Sequence, residues 1–375
     1  MTLREKIAAE IASRGPIPFS RYMEMCLYDP ELGYYSRAKE QFGRAGDFYT
    51  SSDVHAVFGR LLARQFDEMW SVLGAPDVVD VVELGPGRGL FAQDVLEWAK
   101  KKFPDFHGAL RYRLVEHSTG LRARLQERFA ERIAAGRVSV HASVDELPAS
   151  QATIVFANEL FDALPVEVFD HRGELRVGSA ANTFVEHFVP PRAELLEYVD
   201  RYSVHPGEGQ RVEICLAAQE YVRRIAERVP RGFLVAIDYG YTRDEQLAGR
   251  HLDTLTTYTQ HTLGHNPYEA PGEQDITTHV NFTAVSAAAQ DAGLEFGALL
   301  TQSQFLIGIG ESNEFADAFE DTRAPQERAK VLLQLKHLVT PAGMGETFHV
   351  LLMRKDLPKH ALPRLSGLRF ARLGL

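Results

Sequence analysis

The chain has 375 residues, 45% of them apolar and 25% charged, with a formal charge of −10 at pH 7. Those proportions describe an ordinary folded protein of one large domain or two, and the acidic balance argues against a grip on nucleic-acid phosphates. There are two cysteines, Cys26 and Cys215, and no CxxC spacing, which argues against disulfide and zinc scaffolds. No apolar run approaches the roughly 20 residues needed to cross a bilayer. With free thiols and no signal-peptide core at the start, the expected location is the cytoplasm.

In chain order, a helix is expected over residues 3–13, closed by Gly15 and Pro16. A second helix follows, with Ser20 as its cap, and runs into the turn-rich "YDPELGYY". After the loop "FGRAGDFYTSSD", Val54, Val57, Phe58, Leu61, Leu62, Phe66 and Met69 recur at helical spacing, with Ser52 as the expected N-cap. From Asp77 onward, apolar runs at 78–83, 112–116, 138–141, 153–157, 233–237 and 347–353 alternate with helical stretches. Short apolar strands joined by helices predict a parallel sheet covered on both faces, an α/β fold. Two stretches break the rhythm. Residues 166–210 alternate apolar and polar around Arg172-Gly173, as a hairpin does, and 241–281 is irregular. The expected organisation is a helical extension over 1–75 and a core over 76–375 carrying those two insertions. The basic tail with Lys359, Arg364, Arg369 and Arg372 is expected to be a solvated terminal segment.

The segment "VVDVVELGPGRGLFAQDVLEWAKK", starting at Val78, carries the first chemistry. A valine-rich strand ends at Glu83. Gly85, Gly87 and Gly89, with Pro86 inside the turn, then let the backbone bend sharply and approach a ligand. A helix starting at Leu90 aims its positive end at the same place. A dinucleotide site prefers GxGxxG, which seats pyrophosphate on that helix. Here the spacing is GxGxG, preceded by an acid that repels phosphate. S-adenosylmethionine, with an ammonium and a sulfonium, suits such an edge. "YRLVEHS" ends a second strand at Glu116, whose carboxylate can accept both ribose hydroxyls. Nicotinamide cofactors use the same device, so Glu116 indicates a nucleoside without naming it. In "IVFANELFDALPVEVF", Asn158, Glu159 and Asp162 interrupt an apolar segment at a third strand end. They can face the donor methyl, with Glu159 and Asp162 holding a cationic acceptor such as a guanidinium. Alternatively, Asn158 caps a helix and Glu159 sits in its first turn.

The segments "RYMEMCLYDPELGYYSR", "GDFYTSSDVHAVFG", "VVELGPGRG", "YRLVEHS", "ANELFDALPV", "AIDYGY", "PGEQDITTHVNF" and "GETFHVLLMRK" occur in order over nearly the whole chain. Together they resemble the MidA-type S-adenosylmethionine-dependent methyltransferases, a family that includes the mitochondrial respiratory complex I assembly factor, a protein arginine methyltransferase. The resemblance implies a seven-stranded, Rossmann-like class I methyltransferase sheet with an N-terminal helical extension and hairpin insertions. It places Glu83, Gly85, Pro86, Gly87 and Gly89 at the methionine end of the cofactor, Glu116 at its ribose, and Asp47 in a segment that lids it. Asn158 and Glu159 fall at the acceptor edge. Asp238, Tyr239 and His279 lie in family motifs without an assignable role. Ser52, His55 and His117 depart from the family pattern and leave acceptor specificity open. A protein substrate, such as a subunit of complex I, is the implied partner.

No metal is expected: His251, His261, His265 and His279 cluster in sequence, but Gly264 and Pro267 break the helix that would align them. Other readings are a cofactor-binding assembly chaperone with little turnover, a methyltransferase acting on a small molecule, and a nicotinamide oxidoreductase.

Overall fold

The computed structural model describes residues 1–36, 56–180, 183–259, 262–320, 322 and 324–371. The chain divides into two units. One comprises Met1–Phe48, Leu160–Val222 and Gly240–Ala288; the other comprises Tyr49–Glu159, Arg223–Tyr239 and Ala289–Leu375. The first two N-terminal helices and both irregular stretches thus fall in the first unit, and the third N-terminal helix and the strand–helix alternation fall in the second.

The second unit is built on β1 (Val79–Leu84), β2 (Leu110–Val115), β3 (Val138–His141), β4 (Thr153–Asn158), β5 (Gly232–Tyr241), β6 (Glu295–Thr301) and β7 (Phe348–Lys355). Their order across the sheet is β3-β2-β1-β4-β5-β7-β6. Strands β1 to β5 are parallel, and β7 runs antiparallel to both β5 and β6. This is the class I methyltransferase sheet that the sequence led us to expect. All six residues of β1 are buried, which is what its valines require in a sheet covered on both faces. Chain order reverses at β1, which has β2 on one side and β4 on the other, and in open α/β sheets ligands bind past the carboxyl ends at such a switch point. Helix Ala56–Val72 and helix Leu90–Lys102 bury their apolar stripes in the same core. There Phe91 stacks on Phe156 at 4.4 Å between centroids, and Phe58 and Phe66 pack against both rings.

Two expectations for this unit need correction. Strand β6 is absent from the apolar runs read in the sequence. Gly297 sits in it, and the register shifts between Phe296 and Ala298, so the bulge erases the alternation that marks a strand. The tail is not a solvated segment either. Leu357, Leu362, Leu365 and Leu368 are buried in the main core. Gln65 accepts from the Gly367 N–H at 2.9 Å, and Glu68 accepts from the Ser366 N–H at 2.8 Å. The arginines hid a leucine face recurring about every third residue.

In the first unit, helix Leu3–Arg14 starts at a capping box between Thr2 and Glu5 and ends at Gly15, whose φ is 80°. Leu3, Ile7 and Ile11 form its buried stripe. Helix Phe19–Tyr28 follows Pro18, not a Ser20 cap: Ser20 lies inside the first turn and its hydroxyl donates to Glu167 at 2.8 Å. The expected hairpin is present, with Glu167–Asp170 antiparallel to Gly173–Ala180, which also pairs with Thr183–Val189. Arg211–Ile214 and Ile17–Pro18 complete a five-stranded sheet. Gly240 and Tyr241 pair in parallel with Val280–Asn281, and the Asn281 side chain then accepts from the Ala284 N–H at 3.1 Å, at the start of helix Phe282–Asp291.

Candidate active site

The glycine turn lies at the carboxyl end of β1. Gly85, Gly87 and Gly89 have φ of 65°, 50° and 73°, all in the left-handed region that glycine enters without strain. The Gly89 N–H closes the turn on the Pro86 carbonyl at 2.7 Å. At Gly89 a Cβ would come within 2.7 Å of Leu125 Cδ2 and 2.8 Å of Phe129 Cε2, so the helix from Leu90 can begin here only without a side chain.

Two acids flank this turn, and both are buried. The Tyr112 hydroxyl donates to Glu83 Oε2 at 2.8 Å. Burial pushes the Glu83 carboxyl up to about 8; the Tyr112 hydrogen bond opposes this and the charge of Glu116 adds to it. Glu116, just past β2, is pushed up to about 7 by burial, against hydrogen bonds from the backbone N–H groups of Ser118 and Gly87. The Ser118 bond is 2.8 Å. Ser118 also caps helix Thr119–Arg128, so one residue fixes the acid and starts the helix. Among the described residues no cation forms an ion pair with Glu83 or Glu116.

Strand β4, beside β1, ends at Asn158. Its Nδ2 donates to Glu159 Oε1 at 2.9 Å, and its buried Oδ1 accepts from no described residue. Glu159 has φ of 51°, held by its N–H donating to the Ile237 carbonyl at 2.9 Å. A left-handed backbone costs a non-glycine residue on the order of 1 kcal/mol and persists only where neighbours impose it. The helix-cap alternative for Asn158 does not hold, because the next element is the short turn Phe161–Ala163, with no side-chain cap. Asp162 sits in that turn, in the first unit; it is buried, and its carbonyl accepts from the Thr278 N–H at 2.9 Å. Asp47, Ser52 and His55 lie outside the described residues.

The second unit therefore brings Glu83, the glycine turn and Glu116 together, with Asn158 and Glu159 on the adjoining strand end. Sequence reading missed Tyr112 and Ser118. A tyrosine in an apolar run and a serine after an acid carry no signal until strand register places them. Of the unassigned motif residues, Asp238 is fully buried and accepts from the Tyr239 N–H at 3.0 Å. His279 Nδ1 lies 3.1 Å from His251 Nδ1. Among the described residues no group of three or more His, Cys, Asp or Glu could hold a metal, and no helix is long and apolar enough to cross a membrane.

This edge fits S-adenosylmethionine. Buried acids with no counter-ion among the described residues call for a ligand that brings positive charge and hydroxyl donors. A pyrophosphate would instead add negative charge beside them.

Comparison with known proteins agrees. A family model for S-adenosyl-L-methionine-dependent methyltransferases matches residues 61–299. A protein named Protein arginine methyltransferase NDUFAF7 homolog, mitochondrial, from Drosophila melanogaster is 29% identical over 94% of this chain and 84% of its own length. The Homo sapiens protein named Protein arginine methyltransferase NDUFAF7, mitochondrial, is 27% identical over 97% of this chain and 84% of its own. A crystal structure of a protein from Burkholderia thailandensis bound to S-adenosyl-homocysteine shares 30% identity and a TM-score of 0.84, covering 98% of this chain and 95% of that one. The expectation of a cytoplasmic location is corrected by these relatives, whose names place them in mitochondria. Cysteine usage reports redox surroundings and not an address, so the sequence criterion could not decide it. In fold, in the chemistry of its glycine turn and in sequence over most of its length, the chain belongs to the S-adenosyl-L-methionine-dependent methyltransferase family.

Proposed function

We propose that this methyltransferase acts on arginine side chains of a protein substrate, and that its substrate is connected with respiratory complex I. The observation that carries the acceptor assignment is Glu159, a glutamate in the left-handed region at the end of β4, beside Asn158. The relatives named as protein arginine methyltransferases support it.

In this reading Glu83 receives the ammonium of the cofactor, Glu116 its ribose hydroxyls, and the backbone of Gly85, Pro86, Gly87 and Gly89 lies against its methionine portion. Asp47 belongs to the same binding set. S-adenosylmethionine, when bound, supplies an electrophilic methyl group on a sulfonium. The residues of the chain then align and shield. Glu159, held by Asn158 and the Ile237 carbonyl, accepts guanidinium N–H bonds and keeps the positive charge away from the nitrogen that attacks. Asp162 contributes a second carboxylate to the acceptor. Orientation and exclusion of water supply most of the rate.

The test is methyl transfer from labelled cofactor to proteins of a lysate, read as methylarginine by mass spectrometry. Glu159→Gln is expected to lower the rate by about 100-fold or more, comparable to loss of one transition-state contact, with cofactor affinity unchanged. Full activity in Glu159→Gln, or methyl groups found only on other side chains, removes the arginine assignment.

A further inference from the structure

A second site lies wholly within the first unit, between one face of its five-stranded sheet and residues 253–255 and 265–268. These elements enclose a cavity of about 420 Å³, a size typical of small-molecule sites, which run from roughly 300 to 1,000 Å³. Phe19, Val168 and Leu175 give it an apolar floor.

Its charged groups fall into two sets. Arg211 is already engaged: Nη1 donates to Glu186 Oε1 at 2.9 Å and Nη2 to Oε2 at 2.5 Å, and the Tyr268 hydroxyl donates to the same Oε1 at 3.1 Å. Glu213 has no such match. It is only 4% exposed, and it accepts from the Thr254 N–H at 3.2 Å and the Thr254 hydroxyl at 2.7 Å. Among the described residues no cation pairs with it. Burial pushes its carboxyl up to about 7, and the charge of Asp253 at the cavity mouth adds to this. A buried acid facing an open cavity without a counter-ion is costly and favours a ligand that brings one. Among the described residues neither Glu213 nor Asp253 has a cationic partner and Arg211 is already paired, so an anionic ligand would meet two acids and no available cation of the cavity lining.

We propose that this cavity binds one organic cation, a guanidinium or ammonium group on a short apolar stem, with Glu213 as its counter-ion and Phe19, Val168 and Leu175 against the stem. The same chemistry can come from a free alkylguanidine or from an arginine or lysine side chain of a docked protein. None of these residues belongs to the proposed cofactor or methyl-acceptor set.

Calorimetric titration of the full chain with agmatine, and separately with acetyl-Gly-Arg-Gly-amide, tests this. Saturable binding of agmatine alone identifies a free cation, and binding of the peptide as well identifies a protein side chain; either supports the site. The affinity is expected to fall about tenfold or more, ~1.4 kcal/mol, in Glu213→Gln and in the cavity-filling Leu255→Trp, while S-adenosylmethionine binds as in the wild type. In the wild type itself, agmatine is expected to shift the ring resonances of His265, at the mouth. No saturable binding of either probe overturns the proposal. So does binding that survives in Glu213→Gln but is lost in Glu159→Gln, which assigns the cation to the methyl-acceptor edge and leaves the arginine methyltransferase reading intact.

Discussion

At the scale of single residues, the site is governed by two acids kept away from water. Glu83 has a folded-state pKa of about 8 against 4.5 for an ordinary glutamate. Its folded form therefore favours the proton, so its contribution to stability is complete below pH 4.5 and is lost as pH rises through about 8. Glutamine cannot ionise yet still accepts the Tyr112 hydroxyl bond. In thermal melts without cofactor, Glu83→Gln is expected to gain on the wild type progressively between about pH 5 and about pH 8, by up to ~1.4 kcal/mol for each step of one in pH. A gap that stays constant over that range contradicts the assignment. Gly89→Ala puts a Cβ against Leu125 and Phe129 at a φ of 73°. A loss of about 1–3 kcal/mol is expected on denaturant unfolding, together with weaker cofactor binding; an unchanged midpoint is the result against it. These acids and glycines were legible in the sequence because strand, acid and turn are contiguous. Tyr112 and Ser118 were not, since their partnership with Glu83 and Glu116 arises only once β1 and β2 lie side by side.

At the scale of elements, the parallel strands announced themselves as short apolar runs separated by helical stretches. Strand β6 did not, because Gly297 and the bulge next to it break its pattern. The tail was misread because its arginines masked a recurrent leucine face. A further feature invisible in sequence is Asp317, which is 1% exposed. It accepts from Arg64 on helix Ala56–Val72, from Trp98 Nε1 on helix Leu90–Lys102 at 3.0 Å, and from Asn313 Nδ2 at 2.8 Å. Arg64 and Trp98 lie far from Asp317 in sequence, so no local pattern signals those two bonds. Removing the acid leaves a guanidinium and an indole N–H without their shared acceptor. Asp317→Ala is expected to cost about 3 kcal/mol, read as a lower denaturant midpoint at unchanged slope. A midpoint within experimental error of the wild type shows that the three bonds are individually weak.

For the whole molecule, the strand order and the glycine turn identify a methyltransferase, whereas the acceptor is inferred from one constrained glutamate and from relatives. The division into two units could not be read from the sequence. It gathers segments from 1–48, 160–222 and 240–288, and linear reading cannot join stretches so far apart. Cellular address was equally out of reach, because composition reflects solvent and redox state. The central physical claim is that two buried acids with no counter-ion among the described residues, beside a glycine-rich bend, select a cationic nucleoside over a phosphorylated one. Calorimetric titration of the full chain with S-adenosylmethionine, and separately with NAD, tests it most directly. The expected result is saturable binding of S-adenosylmethionine that weakens in Glu116→Gln, with no measurable NAD binding. Saturable NAD binding with no response to S-adenosylmethionine would contradict the claim.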